Sequence, residues 1–458
     1  MIDRVPRRDA TIQLGQMAQS LCHRRWFIFQ SCVASGARVS ASAGAEARVV
    51  MPSSAGVTRT VLGHQEARGP RWHREHSHDL AQLVAHARRR YAKLIDTYGG
   101  SRANFTRVPV HTFRTPIGGF QWARGRGSWR SGFFPGLLWY LHALTGDSTF
   151  GRSAASFTEA LSPKDVWWQH THDVGFVFGC SYGNGLRFGS GLGLNVTLYS
   201  SELEAAAALL ARRFSRVVGM TRSWGSSSSH QFTVIIDNMM NLELMYWVAN
   251  RTSNSTLAEM ADSHARKTAA NWIRPDGSTS HVCHFVAATG SLRICTAHGQ
   301  GWLTNSTWAR GHSWGLYGFT MAYRYRRHSW LLATAQRLAD YYLLVAPPGL
   351  VAYWDHQLAP PLLQAWKDTS GSAIAASAFF ELSTHSAGTA GRRYHDAAHR
   401  ILASFVSEPG LLANASSQAL LASNMHDCGA VECTVIESEY YLMEALYRSL
   451  QSKKVKSK

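Results

Sequence analysis

Residues 234–265, Val234 to Ala265, read VIIDNMMNLELMYWVANRTSNSTLAEMADSHA, and the texture of this stretch sets the architecture. Over 237–249 apolar residues recur at three- and four-residue spacing, the period of a helix. This first segment is apolar and aromatic around most of its girth. The second, 256–272, has the same period but carries charge on one side, as in Leu257-Ala258-Glu259-Met260-Ala261-Asp262-Ser263-His264-Ala265. A helix that is apolar all round must be buried, and an amphipathic one can cover it.

The same couple recurs along the chain. The spacing predicts helices over 78–97, 134–144, 199–214, 237–249, 256–272, 313–325, 330–345, 372–384, 393–406 and 435–450. Trp314-Gly315-Leu316-Tyr317-Gly318-Phe319 is another apolar first member. The couples repeat at roughly 50–70 residues, in the range of helical-hairpin arrays. Strand-like runs such as Thr233–Ile236 and Ser280–Ala287 are too few and short for a major sheet. The expected fold is all-α, a toroid of about six helical hairpins with buried inner helices and amphipathic outer ones. Loops over 168–198, 273–310 and 346–371, rich in Gly, Trp and His, are expected to gather over a cleft at one end.

The chain has 458 residues and is 45% apolar, ample for a globular core. Residues 1–76 lack periodicity and read as a leader, 77–450 as the catalytic domain and 451–458 as a basic, disordered tail. The formal net charge is +18. Residues 1–130 hold 21 Lys/Arg against 7 Asp/Glu, whereas 131–447 hold 21 bases and 22 acids. Basicity concentrated in the ends, not in a stripe across the fold, argues against a nucleic-acid partner. No uncharged apolar run reaches the roughly 20 residues that span a bilayer.

Six of the eleven asparagines, Asn104, Asn195, Asn250, Asn254, Asn305 and Asn414, stand in Asn-X-Ser/Thr sequons. Chance supplies about two, so the excess hints at a secretory route. Residues 17–45 resemble a weak signal peptide starting at Met17, an Arg/Ser-rich transit segment, or an unstructured leader. Cys283 with Cys295, and Cys428 with Cys433, are close enough to bridge, leaving Cys180 unpaired in the body.

Asp237 ends an apolar run and opens a helix, so its carboxyl emerges from a hydrophobic wall, the setting of a proton donor. Asp173, in His170-Thr171-His172-Asp173-Val174-Gly175-Phe176, has similar surroundings. Two carboxylates among aromatics and glycines suggest acid/base work on a sugar, and sixteen Trp offer stacking surfaces. Each candidate also has a plain structural reading: a cap or buried acid for the aspartates, core packing for Trp, a structural ion pair for Arg310. His170, His172, His281 and His284 depart from metal-ligand spacing and lack an acidic cluster, so neither metal nor cofactor is expected.

The segments W-x-x-GFFPGLLW from Trp129, THDVGF from Thr171, RSW from Arg222, VIIDNMMNLELM from Val234, DGSTSHV from Asp276, G-Q-G around Gln300, WARG-x-SWGLYGF from Trp308, YWD from Tyr353 and D-x-S-x-S-AIAAS from Asp368 follow in this order. Together they resemble the unsaturated glucuronyl hydrolases, glycoside hydrolase family 88, over roughly residues 75–450. The resemblance implies an (α/α)6 barrel without metal, acting on oligosaccharides that polysaccharide lyases leave with a terminal Δ4,5-unsaturated uronic acid. Asp237 matches the family's general acid and base, and Asp173 its second essential aspartate. Trp129 and Trp224 match walls of the unsaturated ring; His281, Gln300, Trp308, Arg310 and Trp314 match further pocket residues, Arg310 by its charge suiting the uronate carboxylate. His312 stands where the family usually has Gln, and Gly371-Ser372 replaces a more typical Ala pair; both are expected to bear on the neighbouring-sugar subsite. The alternatives are an unsaturated rhamnogalacturonyl hydrolase acting on pectin fragments and a carbohydrate-binding homologue that has lost its chemistry.

Overall fold

The computed structural model describes residues 77–98, 104–112, 119–124, 127–226, 228–297, 299–358, 366–423 and 433–456. The expected leader and Cys428 lie outside them. Six helices form an inner ring: α2 (Phe133–Thr145), a π-helix (Gly175–Gly183) running into α4 (Asn184–Phe188), α6 (Asn238–Thr252), α8 (Ala309–Arg326), α10 (Thr369–His385) and α12 (Ile436–Lys456). Each packs on the next, and α12 closes on α2. Outside them lie α1 (Ser77–Tyr98), α3 (Ser148–Glu159), α5 (Val196–Arg212), α7 (Ser255–Asn271), α9 (Ser329–Val345) and α11 (Gly388–Ser407).

Outer helices α3, α5, α7, α9 and α11 each pack on the inner segment that precedes them. The sixth couple joins the two ends of the barrel: Tyr91 of α1 donates its buried hydroxyl to Glu439 of α12. Burial follows the couple pattern. Along α10 the side chains from Thr369 to Phe380 are all buried, whereas α11 buries one side and exposes the other.

The hairpin turns after α2, α6 and α8 are short because their C-caps, Gly146, Ser253 and Arg327, take left-handed backbone that ends the helix at once. Asp147 and Asn254 then cap the next helix through Thr149 N and Leu257 N. These tight returns make the inner helices parallel. Their N-termini share one end, and the long connections all lie there. No helix among the described residues is long and apolar enough to cross a membrane.

Three sequence expectations need correction. The segment 168–198 is not wholly loop, since it contains the second inner helix. That helix is hidden because Gly175, Gly179, Gly183 and Gly185 depress helix propensity and a π-helix does not keep the 3.6-residue period. Helix α3 was missed for its small, polar composition, with only Phe150, Phe157 and a few small residues buried. The lysine-rich end is not wholly disordered: α12 continues to Lys456, in keeping with the high helix propensity of Leu450, Gln451, Lys453 and Lys454. Strands are minor, as expected: β1 (Arg107–Thr112) pairs with β2 (Phe120–Arg124), and β3 (Phe214–Ser215) with β4 (Met220–Thr221). Strands β5 (Gln231–Ile235), β6 (Val282–Val286) and β7 (Leu292–Thr296) form one antiparallel sheet in the order β5-β6-β7. Cys283 and Cys295 face each other across β6 and β7 and form a disulfide.

Candidate active site

The β5 strand delivers Asp237 to the open end of the ring. Ser223 Oγ accepts from Ile235 N at 2.8 Å, and His281 O accepts from Ile236 N at 3.0 Å. One residue later the chain enters α6, so the Asp237 side chain stands at the helix mouth but forms no cap hydrogen bond. Its side chain is 12% exposed, and His281 Nε2 lies 3.5 Å from Oδ2. That oxygen has no hydrogen-bond partner among the described residues. A buried carboxylate oxygen without one is uncommon, because desolvation is otherwise uncompensated.

His281 is held rigidly. Its carbonyl also accepts from Trp272 Nε1 at 3.1 Å, and its N–H donates to Thr296 O at 2.8 Å. Its ring meets Trp308 edge-on at 4.8 Å and Trp224 at 6.0 Å. Trp224 is 45% exposed and Trp308 buried, so the file runs from solvent inward. The Arg310 guanidinium lies over the Trp308 ring at 4.7 Å. Arg310 is itself buried; it donates to Ser370 Oγ at 3.0 Å and lies 3.9 Å from Asp368 Oδ2. Burial raises the Asp368 pKa, and Arg310 opposes that shift. The positive charge of Arg310 is therefore shared with α10, whose first turn comes close because residue 371 is glycine. A Cβ there would lie 3.0 Å from Arg310 N.

Asp173 enters from the neighbouring helix. Thr171 Oγ1 donates to its Oδ2 at 2.6 Å, and His172 Nε2 lies 3.2 Å from Oδ1. The approach to Asp173 is tied to that of Trp224 by Arg213, which donates to the carbonyls of Gln169, Arg222 and Ser223. Burial lowers the Arg213 pKa, and the charge of Asp173 opposes this. The two aspartate-bearing helices meet through Asn241. Its Oδ1 accepts from Phe176 N at 2.9 Å, and its Nδ2 donates to Asp237 O at 3.3 Å. Only glycine fits at 175, where a Cβ would fall 2.5 Å from Asn241 Cα.

A second aromatic group packs along the N-terminal ends of neighbouring inner helices. Half-buried Trp129 packs on Phe133 and Phe176, at 5.7 and 5.6 Å between ring centres. Phe176 meets the buried Trp314 at 5.0 Å, and Trp314 meets Tyr441 at 5.3 Å. Arg130, stacked on Trp129 at 4.4 Å, forms a buried bidentate pair with Glu437 of α12. Gln300 lies half-buried in the turn after β7.

Of the residues singled out from sequence, Asp237, His281, Trp224, Trp308 and Arg310 thus form one contact chain. Trp129 and Trp314 form another through Phe176, and Asp173 is brought to Asp237 through Asn241. Sequence reasoning missed Asn241, Arg213, Asp368 and Asp355. Asp355, in the YWD segment, accepts from Trp302 N, Ser306 Oγ and Gln357 N, fixing the connection that carries Gln300 to Trp308. The expectation for His312 is also corrected. It is buried between α8 and α9, with Nε2 3.0 Å from Leu338 O, and its ring packs on Tyr341, Tyr342 and His356, not on the residues around Asp237. His170, His172, His281 and His284 have separate surroundings, with His172 at Asp173, His281 at Asp237 and His284 bonded to Thr233 and Gln231.

No family model matches the chain. It is 35% identical over 329 residues to the unsaturated glucuronyl hydrolase of Formosa agariphila, covering 70% of this chain and 79% of that one. It is 28% identical over 333 residues to the unsaturated chondroitin disaccharide hydrolase of Streptococcus pyogenes, covering 70% and 80%. The crystal structure of an unsaturated glucuronyl hydrolase specific for heparin superposes with a TM-score of 0.73 at 32% identity, over 82% of this chain and 98% of that one. The glucuronyl hydrolase of Bacillus sp. GL1, at 24% identity and a TM-score of 0.72, shares the fold over 81% of this chain and 96% of its own.

Proposed function

The chain belongs to the unsaturated glucuronyl hydrolases, and from that premise we propose how its own side chains carry out the reaction. It is a glycoside hydrolase that releases Δ4,5-unsaturated glucuronic acid from the non-reducing end of lyase-generated, glycosaminoglycan-type oligosaccharides. The terminal sugar is a vinyl ether. Asp237 protonates C4 of the C4=C5 bond, and positive charge develops at C5 and the ring oxygen. Water adds to C5 and gives its proton back to Asp237. The hemiketal then opens and the neighbouring sugar leaves.

The observation that carries this reading is the Asp237 carboxyl, enclosed at the mouth, whose Oδ2 has no hydrogen-bond partner among the described residues and only a 3.5 Å approach from His281. A carboxyl already committed to a lysine or to backbone would be a poor proton donor. Asp173, held in orientation by the Thr171 hydroxyl with His172 close by, is suited to accept from sugar hydroxyls and to stabilise the cation at C5. Trp129 and Trp224 offer faces for the flat unsaturated ring, with His281 and then Trp308 packed beside Trp224. Six inner-helix N-termini at one end favour the uronate carboxylate there. Arg310, shared with Asp368, adds positive charge to that end and positions Trp308. The family relatives are glucuronyl and chondroitin-disaccharide hydrolases, which gives no support to the pectin alternative.

The test follows the ultraviolet absorbance of the unsaturated uronate in plain and sulfated lyase disaccharides. The wild-type protein should bleach it, and Asp237→Asn should lose about three orders of magnitude or more in turnover while keeping its melting temperature. Near-normal bleaching by that variant would remove Asp237 from the mechanism. No bleaching of any unsaturated disaccharide by the wild type would leave the silent, sugar-binding homologue as the better account.

A further inference from the structure

The sequons play no part in the pocket around Asp237, yet the structure separates them sharply from the other asparagines. Among the described residues Asn195, Asn250, Asn254, Asn305 and Asn414, all in sequons, are exposed. Outside sequons, Asn184, Asn238 and Asn241 are buried and Asn271 is half-buried. The division reaches the reacting atom. Nδ2 of Asn184 donates to Cys180 O and Tyr440 Oη, that of Asn238 to Thr221 O, that of Asn241 to Asp237 O and that of Asn271 to Lys267 O. No Nδ2 of the five sequon residues donates to another described group. Asn195 and Asn254 engage only the other end of the amide, where Oδ1 caps α5 and α7 by accepting from Leu198 N at 2.9 Å and Leu257 N at 3.2 Å. A modification at Nδ2 leaves both caps intact.

A second observation points to the same compartment. The Cys283–Cys295 disulfide ties two paired strands, and such bonds persist where the surroundings are oxidising. We propose that Asn195, Asn250, Asn254, Asn305 and Asn414 are sites of N-linked glycosylation, acquired in an oxidising secretory lumen. In the transfer, Nδ2 bonds to the anomeric carbon of an oligosaccharide carried on a lipid diphosphate. The bond from that carbon to the diphosphate oxygen breaks, lipid diphosphate leaves, and the amide gives up one proton. Glycans at Asn195, Asn250 and Asn254 sit at the hairpin-turn end, away from the mouth. Those at Asn305 and Asn414 sit on the connections that lead into α8 and α12.

The full chain, purified from its native cells, is treated with peptide N-glycosidase in heavy-oxygen water and mapped by tandem mass spectrometry. Release of a glycan converts its asparagine to labelled aspartate. The expected result is label at one or more of the five sequons and none at Asn184, Asn238, Asn241 or Asn271. In each labelled sequon, replacing the hydroxyl residue two positions on (Thr197→Ala for Asn195) should abolish the label. Unlabelled asparagine at all five positions would overturn the proposal. So would label that survives the hydroxyl replacement, because it would report spontaneous deamidation. The hydrolase assignment is unaffected by either outcome, since none of these asparagines touches the pocket.

Discussion

His312→Gln should make the barrel more resistant to acid while changing little at neutral pH. His312 is fully enclosed, with Nε2 at 3.0 Å from Leu338 O and Nδ1 at 3.4 Å from Thr279 Oγ1, packed against Tyr341 and His356. Burial pushes its pKa from 6.5 down to about 4, against the pull of the Leu338 carbonyl. The unfolded chain therefore binds a proton on this residue at higher pH than the folded one does. Stability from this source is fully present above about pH 6.5, falls as the pH drops, and stops falling near pH 4. Each unit is worth about 1.4 kcal/mol, so at about pH 4.5 the loss from this one residue is about 2–3 kcal/mol. Glutamine can donate to Leu338 O and accept from Thr279 without titrating. Urea unfolding of both proteins at about pH 7.5 and 4.5 measures the difference. His264, lowered to about 3 by burial, acts in the same direction and cancels between the two proteins, whereas His356, held well below its usual value by burial first and by the neighbouring His312 second, keeps the burial part of its shift in the variant. An identical acid loss in wild type and variant would refute the reasoning.

Asn241→Leu should lower turnover about 10–100-fold, because the helices that carry Asp173 and Asp237 lose their link, and should cost about 1–3 kcal/mol for the stranded Phe176 N–H; a change confined to KM would show that the link does not position the acid. Glu437→Gln should cost about 3–5 kcal/mol in urea unfolding, since it strips a buried Arg130 of its carboxylate. Gly179→Ala should stabilise by about 0.4–1 kcal/mol, because an added Cβ meets nothing within 4 Å, whereas Gly175→Ala, which drives a Cβ to 2.5 Å from Asn241 Cα, should destabilise the protein and depress turnover. Equal effects from the two glycine changes, read by melting and rate, would contradict the assigned packing.

Much of this protein is legible from residue type and spacing, since those depend on local chemistry. The contrast between α10, buried along most of its length, and α11, buried on one side, is a property of composition and period, and it distinguishes inner from outer helices before any contact is known. Asp237 is legible through its neighbours: alone, an acid between an apolar strand and a helix also reads as a cap or a buried structural acid, and the motifs around it favour the catalytic reading. Where glycine interrupts the period, as in Gly175, Gly179 and Gly183, the same signals fail and an inner helix reads as loop. The surroundings of His312 were misread from sequence, because a position beside Arg310 in a motif says nothing of the face it takes, and two residues along a helix turn a side chain to another side.

Other features follow only from long-range packing. Nothing near residue 91 announces its partner at Glu439, and the ring closes because that distant pair satisfies two buried polar groups at once. The 3.5 Å approach of His281 to Asp237 depends on β5 and β6 aligning residues more than forty positions apart. The sharing of Arg310 with Asp368 likewise requires α8 and α10 to meet at their first turns. Sequence alone determined which side chains could serve an acid-catalysed reaction on a sugar. Tertiary structure decided which of them face one another, because hydrogen bonds and ion pairs act over a few ångströms of space and are indifferent to separation along the chain.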